Sequence, residues 1–154
     1  MATVTAQQFR ARQFGSTPYG NKTVLPFKLK TNAIGAAIDS SQATALAIGD
    51  VVILGSLPAG MLITDSTVIV STALTALVTG SLGIQYVDGV DSTLLPQSAS
   101  MFGAGLVLNA VGRLRNATTH PLAKLPKDAY LILTMAGANN AKASVVDVVI
   151  EGEL

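Results

Sequence analysis

The sequence predicts an all-β fold, a β-sandwich or jelly roll that forms a single domain behind an extended N-terminal arm. About eight short segments rich in valine, isoleucine, leucine and threonine are separated by clusters of turn-forming residues, and several alternate apolar with polar side chains. No segment shows the 3.6-residue period of a long amphipathic helix. The 154 residues fit one domain, and no repeat of fixed length divides them.

Residues 1–23 are predicted to form the arm. This stretch has no sustained period of either kind, and residues 15–21 are a cluster of turn formers (Gly-Ser-Thr-Pro-Tyr-Gly-Asn). Aromatic residues are rare in disordered tails, so three of them here favour a segment that docks onto a partner or another copy. They are Phe9, Phe14 and Tyr19. A flexible terminus is the alternative.

The sandwich domain is predicted to span residues 24–154. Its first strand, at 24–31, alternates apolar residues with proline and lysine. Pro26 has no N–H to donate, so this strand should lie at a sheet edge or at a strand start. Clear strands follow at residues 51–54, 61–72 and 81–86, and weaker ones at 43–48, 106–108 and 111–114.

The last two strands are predicted at residues 129–135 and 143–152. Glycine and asparagine residues between them predict that the two strands pair as a hairpin. The most apolar stretch, residues 51–78, is not a membrane helix, because glycine, proline and Asp65 interrupt it and a span needs about 20 apolar residues in a row. No membrane partner is therefore expected.

Charge is scarce along the whole chain. Only 12% of residues are Asp, Glu, Lys or Arg, against about 25% in an average soluble domain. Aromatic residues make up 5%, so the apolar residues are mostly small or branched. This composition favours a surface that is covered by other copies or by a partner. A neutral, polar surface is the alternative.

The few charges are sorted along the chain. Residues 1–38 contain five basic residues and no acid, whereas residues 39–154 contain nine acids and five bases. A basic end on an acidic body indicates an arm that contacts an acidic partner surface. Direct nucleic-acid binding is not expected, because the bases are sparse and the aromatic residues of the arm form no stacking motif.

The residues needed for catalysis or metal binding are mostly missing. Cysteine is absent, and His120, the single histidine, lies in a polar turn. No Gly-x-Ser-x-Gly motif and no phosphate loop is present. The loop from Asp88 to Asp91 lacks the spacing of an EF-hand. The chain is therefore predicted not to be an enzyme, with no catalytic residue, cofactor or metal ligand.

Arg113 and Arg115 are two residues apart and would share one face of a strand. There they could bind a partner's carboxylate or carbonyl at a subunit interface, or protect a strand edge as solvated charges. The candidate partner-binding residues are these arginines together with basic and aromatic residues of the arm and first strand. The full set is Phe9, Arg10, Arg12, Phe14, Tyr19, Lys22, Lys28, Lys30, Arg113 and Arg115.

Three features, taken in order, resemble a known family. A Leu-Pro-Ala-Gly turn at 57–60 leads into a Val/Ile/Thr strand at 61–72. Ser-Leu-Gly-Ile-Gln-Tyr follows at 81–86, and the chain closes with Tyr-Leu-Ile-Leu-Thr-Met at 130–135 and Ser-Val-Val-Asp-Val-Val-Ile-Glu at 144–151. In the residue types of these segments and in their order, residues 50–154 resemble the small decoration, or cement, proteins of tailed-phage heads.

That resemblance implies a β-sandwich or jelly-roll subunit that forms a homodimer or homotrimer. Such oligomers sit on the outer capsid surface of the virion and bridge neighbouring major capsid proteins, after synthesis in the host cytoplasm. The alternative is another virion part, such as a head–tail connector or the β-domain of a tail or fibre. A small β-sandwich hydrolase is a further alternative.

Overall fold

The computed structural model describes residues 1–5, 22–115, 122 and 124–154. These residues form nine β-strands and no helix, so none of their segments is a helix that could cross a membrane. The predicted all-β class is confirmed. The strands are β1 (Thr3–Thr5), β2 (Thr23–Thr31), β3 (Val51–Leu57), β4 (Leu62–Thr72), β5 (Thr79–Tyr86), β6 (Ser98–Val107), β7 (Gly112–Arg115), β8 (Ala129–Ala136) and β9 (Ser144–Glu153).

The strands form two sheets, one of five strands in the order β1-β3-β8-β5-β6 and one of four in the order β2-β9-β4-β7. From β2 onwards the pairing is nested: β2 pairs with β9, β3 with β8, β4 with β7 and β5 with β6, all antiparallel. This is a long hairpin rolled into two sheets, which is the jelly-roll arrangement. β1 is added outside the roll, parallel to β3.

The core lies between the two sheets and follows from the alternation in each strand. In β2, the side chains of Leu25, Phe27 and Leu29 are buried, while the residues between them face outward. Most other core residues are aliphatic, because the chain has few aromatic residues to contribute. Pro26 lies on β2, an edge strand of its sheet, as its missing N–H predicts.

The predicted hairpin of the last two strands is wrong. Both strands form, but β8 lies between β3 and β5 in one sheet and β9 lies between β2 and β4 in the other. In a nested roll, consecutive strands mostly belong to opposite sheets, so residues 137–143 cross from one sheet to the other. Gly137, with φ of +78°, and the buried Asn140 shape this crossing.

Two smaller expectations also need correction. Residues 43–48 form no strand, and only an isolated bridge joins Ala45 to Ala36. Leu46 is buried instead as the anchor of a loop, which explains the apolar pattern. The strand predicted at 81–86 begins two residues earlier, so that Thr79 and Gly80 belong to β5. Gly80 faces inward there, with no room for a side chain beside Leu108 and Leu133.

The two ends of the predicted arm are strands of the sandwich. Thr3–Thr5 is β1, whose start is fixed by a hydrogen bond of 2.9 Å from the Ala2 N–H to Asp50 Oδ1, and Thr23 is the first residue of β2. Residues 6–21 connect these strands and lie outside the described residues. The candidates Phe9, Arg10, Arg12, Phe14 and Tyr19 fall there, and His120 also lies outside the described part.

Candidate assembly surfaces

The two sheets differ sharply in charge. The strands of the five-stranded sheet contain no Asp, Glu, Lys or Arg. The strands of the four-stranded sheet contain eight such residues: two on β2, one on β4, two on β7 and three on β9. We call the outer surface of the four-stranded sheet the charged face and that of the five-stranded sheet the uncharged face.

On the charged face, basic side chains occupy the two edge strands and acidic ones the two central strands. Lys28 on β2 is paired in register with Asp147 on β9, and their charged atoms are 3.5 Å apart. Just before β2, Lys22 lies 2.5 Å from the Glu151 carboxylate. These pairs join residues from the two ends of the chain, because the first and last strands of the roll are neighbours.

At the other edge, Arg115 on β7 binds Asp65 on β4. Its Nε and one terminal nitrogen lie 3.0 and 2.5 Å from Asp65 Oδ2, and the Ser66 N–H donates to Oδ1. The hydrogen bond from the Arg115 guanidinium lowers the pKa of Asp65, and the same contact raises the pKa of Arg115. Both groups are therefore charged at neutral pH.

Five of the ten candidate residues are brought together on or beside this face. They are Lys22, Lys28, Lys30, Arg113 and Arg115. The two arginines share the outward face of β7, as their spacing predicts. Within the described ranges, neither Lys30 nor Arg113 has an ion-pair partner, and both are exposed. The acids that pair with Lys22, Lys28 and Arg115 could not be predicted, because those contacts depend on strand register.

The uncharged face is built from small, hydroxylic and aliphatic side chains. The outward residues of its three central strands are Val51, Ile53 and Ser56 on β3, Tyr130, Ile132, Thr134 and Ala136 on β8, and Thr79, Ser81, Gly83 and Gln85 on β5. None of the ten candidate residues lies on this surface, because they were chosen as basic or aromatic residues and a lack of charge forms no sequence motif. The only indication of this surface in the sequence was the low content of charged residues in the whole chain.

The start of β6 lies across part of the uncharged face. A side-chain carbon on Gly83 would be only 2.0 Å from the Ser98 carbonyl oxygen and 2.4 Å from the Ala99 carbonyl carbon, so the residue must be glycine. Ile132, which is in register with Gly83, is only 5% exposed although it points outward. The uncharged surface therefore continues over β6, which adds the exposed Ala104 and Gly105.

At one end of the sandwich, Asn140 holds three loops together. Its side chain is fully buried, and Nδ2 donates to the carbonyl oxygens of Gly35 and Lys142 at 3.3 and 3.0 Å. Oδ1 accepts from both the N–H and the hydroxyl of Thr75 at 3.1 Å. These bonds fix residues 32–46 and 73–78 to the crossing between β8 and β9.

The loops that Asn140 fixes expose large aliphatic side chains. Ile34, Ile48 and Leu77 are all exposed, and Leu77 is 72% exposed with φ of +68°. That conformation is costly for a bulky residue, and strained residues concentrate at functional contacts. Gly137 allows it, because a side chain there would lie 2.0 Å from the Leu77 carbonyl oxygen.

The acidic loop at the opposite end is closed by the protein's own lysine. Lys127 Nζ lies 2.8 Å from Asp88 Oδ2 and 2.5 Å from the Val90 carbonyl oxygen, and 4.9 Å from the centre of the Tyr86 ring. The hydrogen bond from Lys127 lowers the pKa of Asp88. Within the described part of the chain, no three His, Cys, Asp or Glu residues are grouped so that they could hold a metal ion.

No protein-family model and no curated protein sequence matches this chain. Its fold does match solved structures. A chain of the capsid of Ralstonia phage GP4 superposes with a TM-score of 0.65 at 14% identity, over 98% of this chain and 97% of that one. A chain of the cyanophage Pam1 capsid asymmetric unit gives 0.56 at 13% identity, over 94% of both. The likeness is one of fold, and it extends over nearly the full length of all three chains.

Proposed function

We propose that this chain is a structural virion protein, a head decoration or cement protein that binds the outer capsid surface and stabilises contacts between major capsid protein subunits. The observation that carries the proposal is the full-length likeness of fold to chains of two phage capsids. The resemblance of residues 50–154 to decoration proteins rests on sequence segments rather than on the fold, and it supports the same role. Its place is the capsid surface after synthesis in the host cytoplasm, with no catalytic role and no nucleic-acid or membrane partner.

The alternative virion roles have less support. A head–tail connector or a tail or fibre domain would also be a structural part, but these two structures are of phage capsids. The matched chains are also covered at 97% and 94%, so this chain corresponds to each of them over nearly its whole length rather than to one domain of a larger tail protein.

The charged face supplies the basic groups for the capsid contact in this proposal. Lys30 and Arg113 lie on opposite edge strands, are exposed, and have no acidic partner among the described residues. A partner that presents acidic groups can pair with both without first displacing an internal ion pair. Charges of this kind at the rim of an interface mainly set the orientation and rate of association.

Residues 6–21 are proposed to extend the same contact. They carry Arg10 and Arg12 with the three aromatic candidates, and they leave β1 and return in β2, the edge strands of the two sheets. A segment tethered at both ends has fewer conformations to lose on binding than a free tail. Several weak contacts of this kind, repeated in an oligomer, add to a strong hold by effective concentration.

The test is binding of the purified chain to undecorated phage heads. We expect saturable binding with a copy number far above that of a single connector ring. A variant with both Lys30→Glu and Arg113→Glu should bind at least about tenfold more weakly, since it places acids against an acidic surface. Lys142→Glu, an exposed lysine outside both sheets, is the matched control and should bind normally.

A second variant tests the connecting segment. Residues 6–21 are replaced by a Gly/Ser linker of equal length, which keeps β1 and β2 in place. We expect a folded protein with weaker binding to heads. Absence of binding by the intact chain, or a copy number of one ring per particle, would overturn the decoration role. Unchanged binding by the linker variant would remove residues 6–21 from the contact.

A further inference from the structure

We propose that the uncharged face is the surface through which copies of this chain associate with one another. The inference deepens the proposed function, because self-association is part of that role, and it assigns the interface to one sheet. The partner is a second copy of this chain. The charged face and the segment between β1 and β2 then remain available for the capsid protein.

The first support is the complete lack of charge on five strands. Charged residues make up 12% of the chain, yet none lies on β1, β3, β5, β6 or β8. Depletion of charge, with aromatic and aliphatic residues in its place, characterises the centre of a protein interface. The uncharged face has the partly exposed Tyr130 and Ile53 near its centre, with hydroxyl groups around them.

The second support is electrostatic self-complementarity. When two identical faces meet about a two-fold axis, the residues near the axis lie close to their own copies, so a charge near the axis meets a like charge. The uncharged face has no such repulsion, and no charged side chain would have to be desolvated when two copies meet. On the charged face, the central strands carry Asp65, Asp147 and Glu151, so an axis through these strands would bring acidic groups together. Charge therefore favours the uncharged face for a second copy.

The third support is size. Four strands about 4.8 Å apart and about eight residues long, at 3.3 Å per residue, make a face of roughly 19 by 26 Å, or about 500 Å² in projection, and the three-residue β1 extends one edge. Surface relief and the rim of the sheet raise the accessible area above that figure. A standard interface buries about 800 Å² on each partner. The small residues of β6, such as Ala104 and Gly105, let a second copy approach closely.

The experiment places a charge on each face in turn and measures mass. Ser81→Glu puts a carboxylate in the uncharged face, on the outward side of β5. Thr67→Glu is the matched control: Thr67 is partly exposed like Ser81, points outward from β4, and is in register with Arg115, so an acid is tolerated there. Gln85→Glu, at an exposed outward position of β5, is a second test variant that should not disturb folding.

We expect the wild-type chain to sediment as an oligomer at micromolar concentration. Ser81→Glu and Gln85→Glu should each raise the dissociation constant at least about tenfold, because each would bury an unpaired carboxylate in the uncharged interface. Thr67→Glu should keep the wild-type mass. Circular dichroism and the thermal midpoint establish that each variant is folded. A folded Ser81→Glu and Gln85→Glu that both keep the wild-type mass, or a wild-type chain that is monomeric throughout, would overturn the proposal.

Binding to heads separates this inference from the proposed function. If the wild-type chain associates through the uncharged face but binds no heads, the interface stands and the decoration role fails. If it binds heads while the uncharged-face variants keep their mass, the decoration role stands and the interface fails. If both hold, Ser81→Glu binds heads with reduced avidity, since a single copy has fewer contacts.

Discussion

Asn140 offers the sharpest test of how the end of the sandwich is built, by replacement with alanine. Its side-chain amide makes five hydrogen bonds, to Thr31, Gly35, Thr75 and Lys142, and has no exposure to water. Replacement by alanine removes the amide, so each group that was hydrogen-bonded to it loses that bond. Each buried polar group that loses its partner costs about 1–3 kcal/mol.

The magnitude follows from which partners water can reach. The Gly35 carbonyl oxygen is buried but still accepts from the Leu46 N–H at 3.1 Å, and Lys142 is exposed, so its carbonyl oxygen is accessible to solvent. Thr75 is half-buried and loses the acceptor for both its N–H and its hydroxyl. Counting the equivalent of about two unsatisfied groups predicts a loss of about 2–4 kcal/mol, a large share of a typical stability of about 5–15 kcal/mol.

Asn140→Asp distinguishes the contribution of the hydrogen bonds to stability from that of side-chain packing. The new carboxyl keeps its shape and can still accept from Thr75, but it places an oxygen against the carbonyl oxygens of Gly35 and Lys142. The charged form is disfavoured, so the folded-state pKa of this aspartate should lie above its unfolded value of about 3.9. Stability should then be greatest below that unfolded value and fall as pH rises through the folded one.

Urea unfolding of the wild type and both variants from acid to neutral pH measures these effects. Asn139→Ala is the control, because this neighbouring amide is exposed and accepts a single hydrogen bond, from the Ile48 N–H. It should cost less than about 1 kcal/mol. An Asn140→Asp variant as stable as the wild type at neutral pH, or an Asn140→Ala loss no larger than that of the control, would refute the reasoning.

Three further changes have definite expected results. Thr134 Oγ1 is buried and has no hydrogen-bond partner in the described residues, so Thr134→Val should raise the free energy of unfolding by about 1 kcal/mol in urea titrations. Arg115→Gln should raise the pKa of Asp65 towards its ordinary value in an NMR titration. In the wild type the stabilisation from this pair is present above the unfolded pKa and is lost as pH falls through the lowered folded one, so the variant should lack that part of the acid dependence. Lys127→Met removes the contacts to Asp88 and to the Val90 carbonyl oxygen, and it should speed amide exchange in the loop after β5 but leave β8 protected.

Local pattern was enough to predict most strands. The alternation of Leu25, Phe27 and Leu29 requires a half-buried strand, and Pro26 requires an edge, and both requirements are met by β2. The hairpin of β8 and β9 failed because Gly137, Asn139 and Asn140 indicate only that the chain turns. Whether the next strand joins the same sheet depends on the nested pairing of the whole roll, which no local segment records.

The candidate surface was also predicted only in part: the sequence indicates which residues share a face but not which residues pair with them. The period of two in a strand correctly places Arg113 and Arg115 on one face. Their partner Asp65 and the Lys28–Asp147 pair could not be predicted, because each contact joins strands that are distant in sequence. A charge pair across strands is visible in a sequence only after the register is known.

The separation of charge between the sheets follows from the same nested pairing and limits how copies can assemble. From β2 to β9 the chain crosses repeatedly between the two sheets, so charged and uncharged strands are interleaved in sequence and the low overall charge looks uniform. In the fold, the shortage of charge belongs to one face, while the other carries the charged residues and three ion pairs. One associating face per subunit produces a closed oligomer, whereas two opposed ones would produce an open-ended stack. The proposed role, in which a discrete oligomer binds a capsid, is therefore better served by one uncharged sheet and one charged sheet than by an even distribution of the same residues.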